Sequence, residues 1–203
     1  MKLIKLWEAD LKKAYQLQTS FGPNENGFIN NAYGYTFAEF LDYVKKCEKT
    51  SLGIDLPESY VPATVFILES DEHEYVGIFN LRHKLNETLR NGAGHIGYGI
   101  SPNYRKKGYA TQGLALVLQE AKKIGIDEAL LSVNKKNLGS LKAQQKNGAA
   151  TKILSQSLIL NKRCGRDSLS VVIRHISFTA SFLRKNRFIR KIPRIHLLHV
   201  DLD

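Results

Sequence analysis

The sequence of residues 94–111, GHIGYGISPNYRKKGYAT, constrains the fold more than any other part of the chain. It begins as an apolar strand, breaks at SPN, and passes through a basic turn into a segment rich in Ala and Leu. This pattern predicts a strand, a tight turn and a helix, in that order. The first four backbone N–H groups of a helix have no partner within it, and they carry about half a positive charge. A basic turn at this place therefore predicts a seat for a pyrophosphate.

Three consecutive cations precede the predicted helix, and small residues open it. Arg105, Lys106 and Lys107 supply positive charge. Gly108 and Ala110 leave the backbone uncovered, so that a phosphate oxygen can approach the amides.

Arg105-x-x-Gly108-x-Ala110, between a strand and a helix, resembles the Arg/Gln-x-x-Gly-x-Gly/Ala signature of the GNAT N-acetyltransferase superfamily. The lead-in ISPNYR and a second block, NKKNLGS at 134–140 with KNG at 146–148, follow the family's spacing. RHKLN at 82–86 and GHIGY at 94–98 further resemble a branch of bacterial predicted acetyltransferases. The resemblance implies the GNAT-like acyl-CoA N-acyltransferase fold, with acetyl-CoA as co-substrate and no metal. It also implies direct transfer of an acetyl group to a primary amine of a small molecule or peptide in a ternary complex.

The resemblance assigns the cofactor contacts to the strand end, the basic turn and two helix starts. The predicted set is Ile100, Arg105, Lys106, Lys107, Gly108, Tyr109, Ala110, Thr111, Asn137 and Ser140. Asn137 and Ser140 also fit a helix N-cap turn, and the two interpretations are compatible.

His95 is the predicted catalytic base. A primary amine is mostly protonated at pH 7, so a base or a water chain must take its proton. Many relatives place a Glu on the fourth strand, where this chain has His95. With an unperturbed pKa of ~6.5, histidine is largely neutral at pH 7. Glu69 and His83 are alternatives, and a structural hydrogen bond across the sheet is the competing interpretation of His95.

The proton donor to the departing thiolate is less clearly marked. Relatives commonly use a Tyr seven residues after the position of Asn137, but this chain has Gln144 there, and an amide cannot serve as an acid. Tyr98, Tyr104 and solvent are the alternatives. The resemblance places the oxyanion against a backbone N–H of residues 98–100, where the strand parts from its neighbour.

Length and composition set outer limits on this interpretation. The chain has 203 residues, of which 43% are hydrophobic, enough for one sizeable core. No apolar run approaches the ~18 residues of a membrane span. Two widely separated cysteines, Cys47 and Cys164, fit a reducing cytoplasm.

The net charge of +11 is unevenly distributed. Residues 1–80 hold 12 acidic and 7 basic side chains, whereas residues 81–203 hold 7 acidic and 23 basic ones. The basic part suits an anionic cofactor, and the acidic part suits the steering of a cationic amine. Solvated surfaces without such roles are the competing interpretation.

Periodicity predicts the order β-α-α-β-β-β-α-β-α-β-β over residues 1–176. The first helix is expected at 8–18, the last helix at 138–146 and the last two strands at 153–160 and 168–176, with irregular segments at 20–35 and 84–93. This order describes one α/β domain, with a single mixed, mostly antiparallel central sheet flanked by helices. Thr36 and Glu39 form a capping-box pattern at the start of the second helix. Residues 177–203 form a basic and apolar C-terminal extension, for which a packing arm is favoured over a nucleic-acid arm or a membrane-surface segment. His196 and His199 lack a third ligand, so no metal site is predicted.

Two functions remain open at this point. The first is the N-acetyltransferase, favoured by the intact cofactor signature and by His95. The second is a catalytically silent GNAT-like binding module, which contacts nucleic acid or a protein partner through its basic half and tail. Gln144 in place of Tyr favours the second. Nucleic acid is disfavoured as a partner, and a homodimer is left open.

Overall fold

The computed structural model describes residues 1–151 and 168–174. The strands are β1 (Lys2–Lys5), β2 (Asn24–Glu25), β3 (Phe28–Ile29), β4 (Ala63–Glu69), β5 (Tyr75–Arg82), β6 (Ile96–Ile100), β7 (Glu128–Asn134), β8 (Ala149–Thr151) and β9 (Ser168–Arg174). The α-helices are α1 (Leu11–Thr19), α2 (Phe37–Leu52), α3 (Glu87–Arg90), α4 (Tyr109–Lys123) and α5 (Leu138–Lys146). Single 3-10 turns lie at Leu6–Glu8 and Pro102–Tyr104. The predicted class, a mixed α/β domain with an antiparallel sheet flanked by helices, is confirmed.

The main sheet consists of two parts. One part has the order β1-β4-β5-β6 and the other the order β7-β9-β8, with antiparallel pairing throughout. An isolated bridge between Gly94 and Leu131 connects the two parts just before β6 begins. In the described part of the chain, β6 and β7 share no ladder beyond this bridge. The strands therefore diverge where the resemblance predicts a splay.

Helices cover both faces of the β1-β4-β5-β6 sheet, and each face has its own apolar core. Phe79 and Leu81 of β5 belong to the core beneath α4, whereas Ile78 belongs to the core beneath α1 and α2. This division follows from the alternation of side chains along a strand. Gly113 allows α4 to lie close to the sheet, because a Cβ atom there would stand 2.3 Å from the Phe79 ring.

Helix starts follow the local sequence closely. Thr36 and Glu39 form the predicted capping box at the start of α2. The first helix, expected from residue 8, begins at Leu11 because the Asp10 carboxylate accepts the N–H groups of Lys12 and Lys13 at 3.0 and 3.1 Å. A side-chain cap fixes the helix start more strongly than the apolar spacing does.

Two segments expected to be irregular contain short regular elements. Residues 20–35 include the β2–β3 hairpin, whose turn residues Asn26 and Gly27 have φ values of 54° and 93°. Asn-Gly is the strongest short hairpin signal, so this turn is marked in the sequence itself. Residues 84–93 contain the single turn α3, capped by Asn86. The predicted strand at 153–160 and the extension at 177–203 lie outside the described residues.

Candidate active site

The turn before α4 has the backbone conformation of an anion seat. Lys106 and Gly108 both have left-handed φ values, of 63° and 87°. Gly108 is the N-cap of α4 and makes no side-chain cap. Among the described residues, a Cβ atom at Gly108 would meet only the Gln112 amide nitrogen, at 3.7 Å, so the glycine is required by its conformation and not by lack of space. The first turn of α4 therefore presents its amides without a competing side-chain acceptor.

Positive charge surrounds this helix start. Lys106 and Lys107 are exposed, and the Lys107 ammonium lies 5.4 Å from the centre of the Tyr104 ring. The Tyr104 and Tyr109 rings meet edge to face, with centroids 6.2 Å apart. No acidic side chain lies in the first turn of α4. These residues fit the pyrophosphate of acetyl-CoA, because backbone donors, the helix dipole and two cations converge there.

Arg105 contacts the β2–β3 hairpin and the end of β6. Its Nε donates to the Ile100 carbonyl oxygen at 3.0 Å, and its guanidinium forms an ion pair with Glu25 of β2. Glu25 also accepts the Gly22 N–H at 2.8 Å. Arg105 thus ties the β2–β3 hairpin to the end of β6, next to the basic turn. The role of Glu25 is not marked in the sequence, because it lies 80 residues from Arg105.

Tyr98 belongs to a polar network with α5. Its hydroxyl group lies 2.7 Å from the Ser140 Oγ atom, and the Gln144 amide donates to the same Oγ atom at 3.2 Å. The Asn137 side-chain oxygen accepts the Ser140 N–H at 3.1 Å, which confirms the predicted N-cap. The Tyr98 ring stacks on Phe79, with centroids 5.3 Å apart. Ring stacking and the network together fix the direction of the Tyr98 hydroxyl.

Gln144 of α5 occupies the position where relatives carry the acidic Tyr. Tyr98 of β6 contacts the same Ser140 hydroxyl group as Gln144. Burial raises the pKa of Tyr98, and the hydrogen bonds from Ser140 and Gln144 only partly oppose this rise. The hydroxyl therefore keeps its proton at neutral pH and can donate it. The Gln144 side chain is 1% exposed, and its Oε1 atom has no hydrogen-bond partner within the described chain.

His95 lies at the point where the two parts of the sheet separate. Its backbone N–H donates to the Leu130 oxygen at 2.6 Å, and its Nδ1 accepts the Leu130 N–H at 3.0 Å. A neutral ring with an accepting Nδ1 carries its hydrogen on Nε2. Burial lowers the pKa of His95, and the nearby cations Arg90 and Arg82 lower it further. His95 is therefore neutral at pH 7, and in this arrangement it connects β6 to β7.

The glycines of β6 shape the face of the sheet that looks toward α1 and α2. A Cβ atom at Gly99 would lie 3.0 Å from atoms of both the Phe21 and Phe28 rings. A Cβ atom at Gly97 would meet only the Arg82 Nη1 atom, at 3.9 Å, among the described residues. Gly99 is therefore covered by aromatic rings, whereas no described side chain other than Arg82 lies within 4 Å of the Cβ position at Gly97.

The alternative base candidates do not share the surroundings of His95. The His83 Nε2 atom lies 2.8 Å from the Thr64 hydroxyl oxygen, and burial lowers the pKa of His83. Glu69 pairs with Tyr75 at the start of β5, whereas His95 lies opposite Arg82 at its end. Seven residues of strand separate these positions, about 23 Å at ~3.3 Å per residue. Glu69 instead contacts His73 and Lys2.

Two further findings concern metals and membranes. Within residues 1–151 and 168–174, no group of three or more His, Cys, Asp or Glu side chains could hold a metal ion. The helices of the same residues are all too short or too polar to cross a lipid bilayer.

Comparisons with known proteins identify the family of the chain. The sequence family described as acetyltransferase (GNAT) domain matches residues 8–150. None of the curated proteins compared with the chain matches it.

Several solved structures share the fold. RimJ of Mycobacterium smegmatis, in complex with CoA-disulfide, is 17% identical with a TM-score of 0.61, covering 85% of this chain and 81% of that one. The spermidine N-acetyltransferase of Vibrio cholerae, in complex with CoA and spermine, is 16% identical with a TM-score of 0.55, covering 85% and 94%. The N-acetyltransferase PseH of Campylobacter jejuni, in complex with acetyl coenzyme A, is 15% identical with a TM-score of 0.53, covering 86% and 99%. At these identities the likeness shows the fold.

Proposed function

Because the chain belongs to the GNAT acetyltransferase family and is thus an acetyl-CoA-dependent acyltransferase, we propose that its acceptor is a primary amine of a small molecule or peptide. The amine attacks directly in a ternary complex. The observation that carries this proposal is the start of α4, where Gly108 leaves the helix amides without a side-chain cap between exposed lysines and the end of β6. Acetyl-CoA supplies a thioester, whose carbonyl carbon is the electrophile.

The cofactor residues act mainly through the backbone and through charge. The amides of Tyr109 and Ala110 and the ammonium groups of Lys106 and Lys107 meet the pyrophosphate. The Thr111 N–H, also predicted as a cofactor contact, donates to the Gly108 carbonyl oxygen at 3.0 Å in the structure. Arg105 contributes by positioning, since its guanidinium is engaged with Glu25 and the Ile100 carbonyl. Asn137 and Ser140 contribute by fixing the start of α5 beside the free edge of β6.

Tyr98 is the proposed proton donor to the thiolate that leaves when the C–S bond breaks. Its raised pKa keeps the hydroxyl protonated at neutral pH, so an O–H is available as negative charge develops on the sulfur. A thiol is the stronger acid of the two, so proton transfer to the thiolate is uphill, and solvent must restore the proton to the phenolate. The Ser140 hydroxyl, 2.7 Å away, can stabilise that phenolate by a hydrogen bond. This arrangement offers a replacement for the Tyr that relatives carry at the position of Gln144.

The proposed base role of His95 needs the lone pair on Nδ1, which accepts the Leu130 N–H in the structure. His95 can take a proton from the amine only after releasing Leu130, because Nε2 carries the hydrogen of the neutral ring. In a structural role, His95 keeps its hydrogen bond from the Leu130 N–H, and water accepts the amine proton. The two roles are separated by experiment.

The first experiment measures acetyl-CoA binding by calorimetry and thiol release with a panel of primary amines. We expect micromolar-range binding and amine-dependent thiol release from the wild-type protein. Tyr98→Phe keeps the stacking on Phe79 and loses the hydroxyl, so we expect unchanged binding and a kcat about 10- to 100-fold lower. Binding without turnover on any amine would instead support the catalytically silent module.

His95→Asn tests the base, since an Asn side-chain oxygen can still accept the Leu130 N–H while the titrating ring is lost. A base role predicts a loss of ~100-fold or more in kcat/KM and loss of the acidic limb of its pH profile. A structural role predicts retained activity.

The same variant tests the linkage between pH and stability. The folded pKa of His95 lies below the unfolded value of ~6.5, so the unfolded chain takes up the proton first as the pH falls. The contribution of neutral His95 is therefore complete above about pH 6.5 and is lost as the pH falls toward the folded pKa. Between pH 7 and 5, the free energy of unfolding should fall less steeply for His95→Asn than for the wild type. His83, whose pKa is also lowered, accounts for part of the remaining slope.

A further inference from the structure

Four residues form a corner on the face of the sheet that looks toward α1 and α2. Asn80 pairs with Gly97, and the Arg82 N–H donates to the His95 carbonyl oxygen at 2.8 Å, so the two pairs are successive on one face. Asn80 and Arg82 share the face of Ile78 because side chains alternate along β5. Gly97 shares it because its neighbour Tyr98 stacks on Phe79, on the opposite face. We call these residues, Asn80, Arg82, His95 and Gly97, the β5–β6 corner.

Arg82 brings an uncompensated positive charge to the β5–β6 corner. Its Nη1 donates to the Gly94 carbonyl oxygen at 3.1 Å, and the described residues provide no carboxylate in an ion pair with it. A guanidinium has five N–H donors in a planar fork that matches a carboxylate. Burial lowers the pKa of Arg82, yet an arginine stays charged at neutral pH. Most of its hydrogen-bonding capacity is thus available to a ligand.

The β5–β6 corner also contains an open space and an unused acceptor. The Arg82 Nη1 atom is the one described atom within 4 Å of a Cβ position at Gly97. The Asn80 Oδ1 atom is buried and has no hydrogen-bond partner among the described residues. A buried polar atom without a partner costs free energy, which a ligand N–H would recover.

The sign of the charge distinguishes between acceptor classes. Arg82 and Arg90 both lower the pKa of His95, so the field at the β5–β6 corner is positive. A second ammonium group placed there would be repelled, which disfavours a polyamine such as the spermidine of one structural neighbour. A carboxylate is attracted by the same field.

We propose that the acceptor is a small amino-acid-type molecule, whose carboxylate pairs with Arg82 while its amine lies over Gly97. This inference rests on the proposed function and names the substrate class of the same site. Arg82 is then the residue that selects the acceptor, by forming charge-assisted hydrogen bonds to the carboxylate. Asn80 accepts a hydrogen bond from the amine.

The test compares free amino acids with their primary amides as acceptors, at saturating acetyl-CoA. The two members of each pair share the α-amine and differ in the carboxylate. We expect the wild-type protein to prefer the acid by at least about 10-fold in kcat/KM. At pH 8, where His95 is neutral with or without the charge of Arg82, Arg82→Gln should raise KM for the acid about 10- to 100-fold, the size of a lost charge-assisted hydrogen bond, and leave kcat and the amide kinetics nearly unchanged. Arg82→Lys should recover part of the affinity.

Arg90→Gln is the matched control, because it removes one nearby positive charge from an exposed side chain. It should change the KM for the acid no more than about 2- to 3-fold. Equal use of acids and amides by the wild type, better use of polyamines, or an equal loss for both members of a pair in Arg82→Gln would overturn the inference. If Arg82→Gln does not fold, Arg82→Lys and the wild-type preference still decide.

Binding of acetyl-CoA separates failure of the inference from failure of the proposed function. Acetyl-CoA binding with no preference for the carboxylate leaves the acetyltransferase standing and overturns the inference. A folded wild-type protein that binds no acetyl-CoA overturns both. A readout without turnover is thermal stabilisation by an N-acetylated amino acid against its amide, which should favour the acid in the wild type and not in Arg82→Gln.

Discussion

The helix starts of this protein are of two kinds. α1, α2, α3 and α5 each begin at a side chain that accepts a backbone N–H of the first turn. The four caps are Asp10, Thr36, Asn86 and Asn137. α4 begins at Gly108, which has no side chain to offer. A helix start can therefore satisfy its own backbone N–H donors or leave them available to a ligand, and the N-cap residue decides which.

α2 and α4 show the contrast most clearly. At α2 the Glu39 carboxylate accepts the Thr36 N–H at 2.7 Å. The capping box therefore provides a hydrogen-bond acceptor and a negative charge at the start of the helix from within the chain. At α4 the neighbouring charges are the ammonium groups of Lys106 and Lys107. Omission of a cap costs about 1 kcal/mol of stability. The missing cap at α4 is explained if a bound phosphate accepts hydrogen bonds from the amides of the first turn.

The largest effect is expected from giving α4 a cap of its own. Gly108→Asp places a carboxylate against the first-turn amides and introduces negative charge where the pyrophosphate is proposed to bind. We expect calorimetry to show at least a ~100-fold loss of acetyl-CoA affinity, since both donors and charge are lost to the ligand.

The control for this variant is Gly125→Asp, just beyond the other end of α4. Gly125 also has a left-handed φ, of 81°, and a Cβ atom there would meet nothing within 4 Å in the part of the chain that the structure describes. Both variants carry the strain of a left-handed side chain, roughly 1 to 2 kcal/mol. The new cap offsets part of this strain at residue 108 but not at residue 125, so Gly125→Asp should lower the melting temperature at least as much as Gly108→Asp. Equal affinities for acetyl-CoA in the two variants would show that the start of α4 is not the seat.

A smaller effect is expected from removing charge beside the turn. The double variant Lys106→Gln and Lys107→Gln keeps the backbone donors, so we expect acetyl-CoA binding to weaken by roughly 5- to 20-fold at low salt. The difference from the wild type should shrink as ionic strength rises, because exposed charges are screened. Lys122→Gln with Lys123→Gln, in the last turn of α4, makes the same change in net charge and should leave binding within 2-fold. A salt-independent loss would contradict the electrostatic role.

The smallest effect on binding is expected at α2. Thr36→Ala removes the acceptor of the Glu39 N–H and breaks the capping box. We expect a loss of about 1 kcal/mol in the free energy of unfolding, measured in urea, and no change in acetyl-CoA affinity. Thr36→Ser keeps the hydroxyl and should restore the stability. A change in affinity on Thr36→Ala would mean that the two helix starts are not independent.

Much of the fold could be predicted from the sequence, because its elements depend on near neighbours. Apolar spacing gave α5 at its observed bounds, and the Thr36 and Glu39 pattern gave the capping box. The β2–β3 hairpin lies in a segment predicted to be irregular, yet its turn is also encoded locally, by Asn26 and Gly27.

The candidate site could be predicted only in part. The basic turn follows from a short continuous stretch, so its left-handed Gly108 and its exposed lysines were foreseeable. The partners of individual side chains were not, because they depend on strand register and helix packing. Tyr98 was a candidate acid, but its contact with Ser140 spans 42 residues, and the engagement of Arg105 with Glu25 spans 80.

The sequence by itself determined the order of most elements, the helix caps and the basic turn that ends at the uncapped Gly108. Each of these depends on interactions within a few residues, which a linear pattern records. The tertiary structure decided that His95 accepts the Leu130 N–H, that Tyr98 reaches Ser140, and that Arg82 faces the bare backbone of Gly97. Side chains from distant strands meet only when register and sheet divergence bring them to one place, and a linear pattern does not contain that geometry.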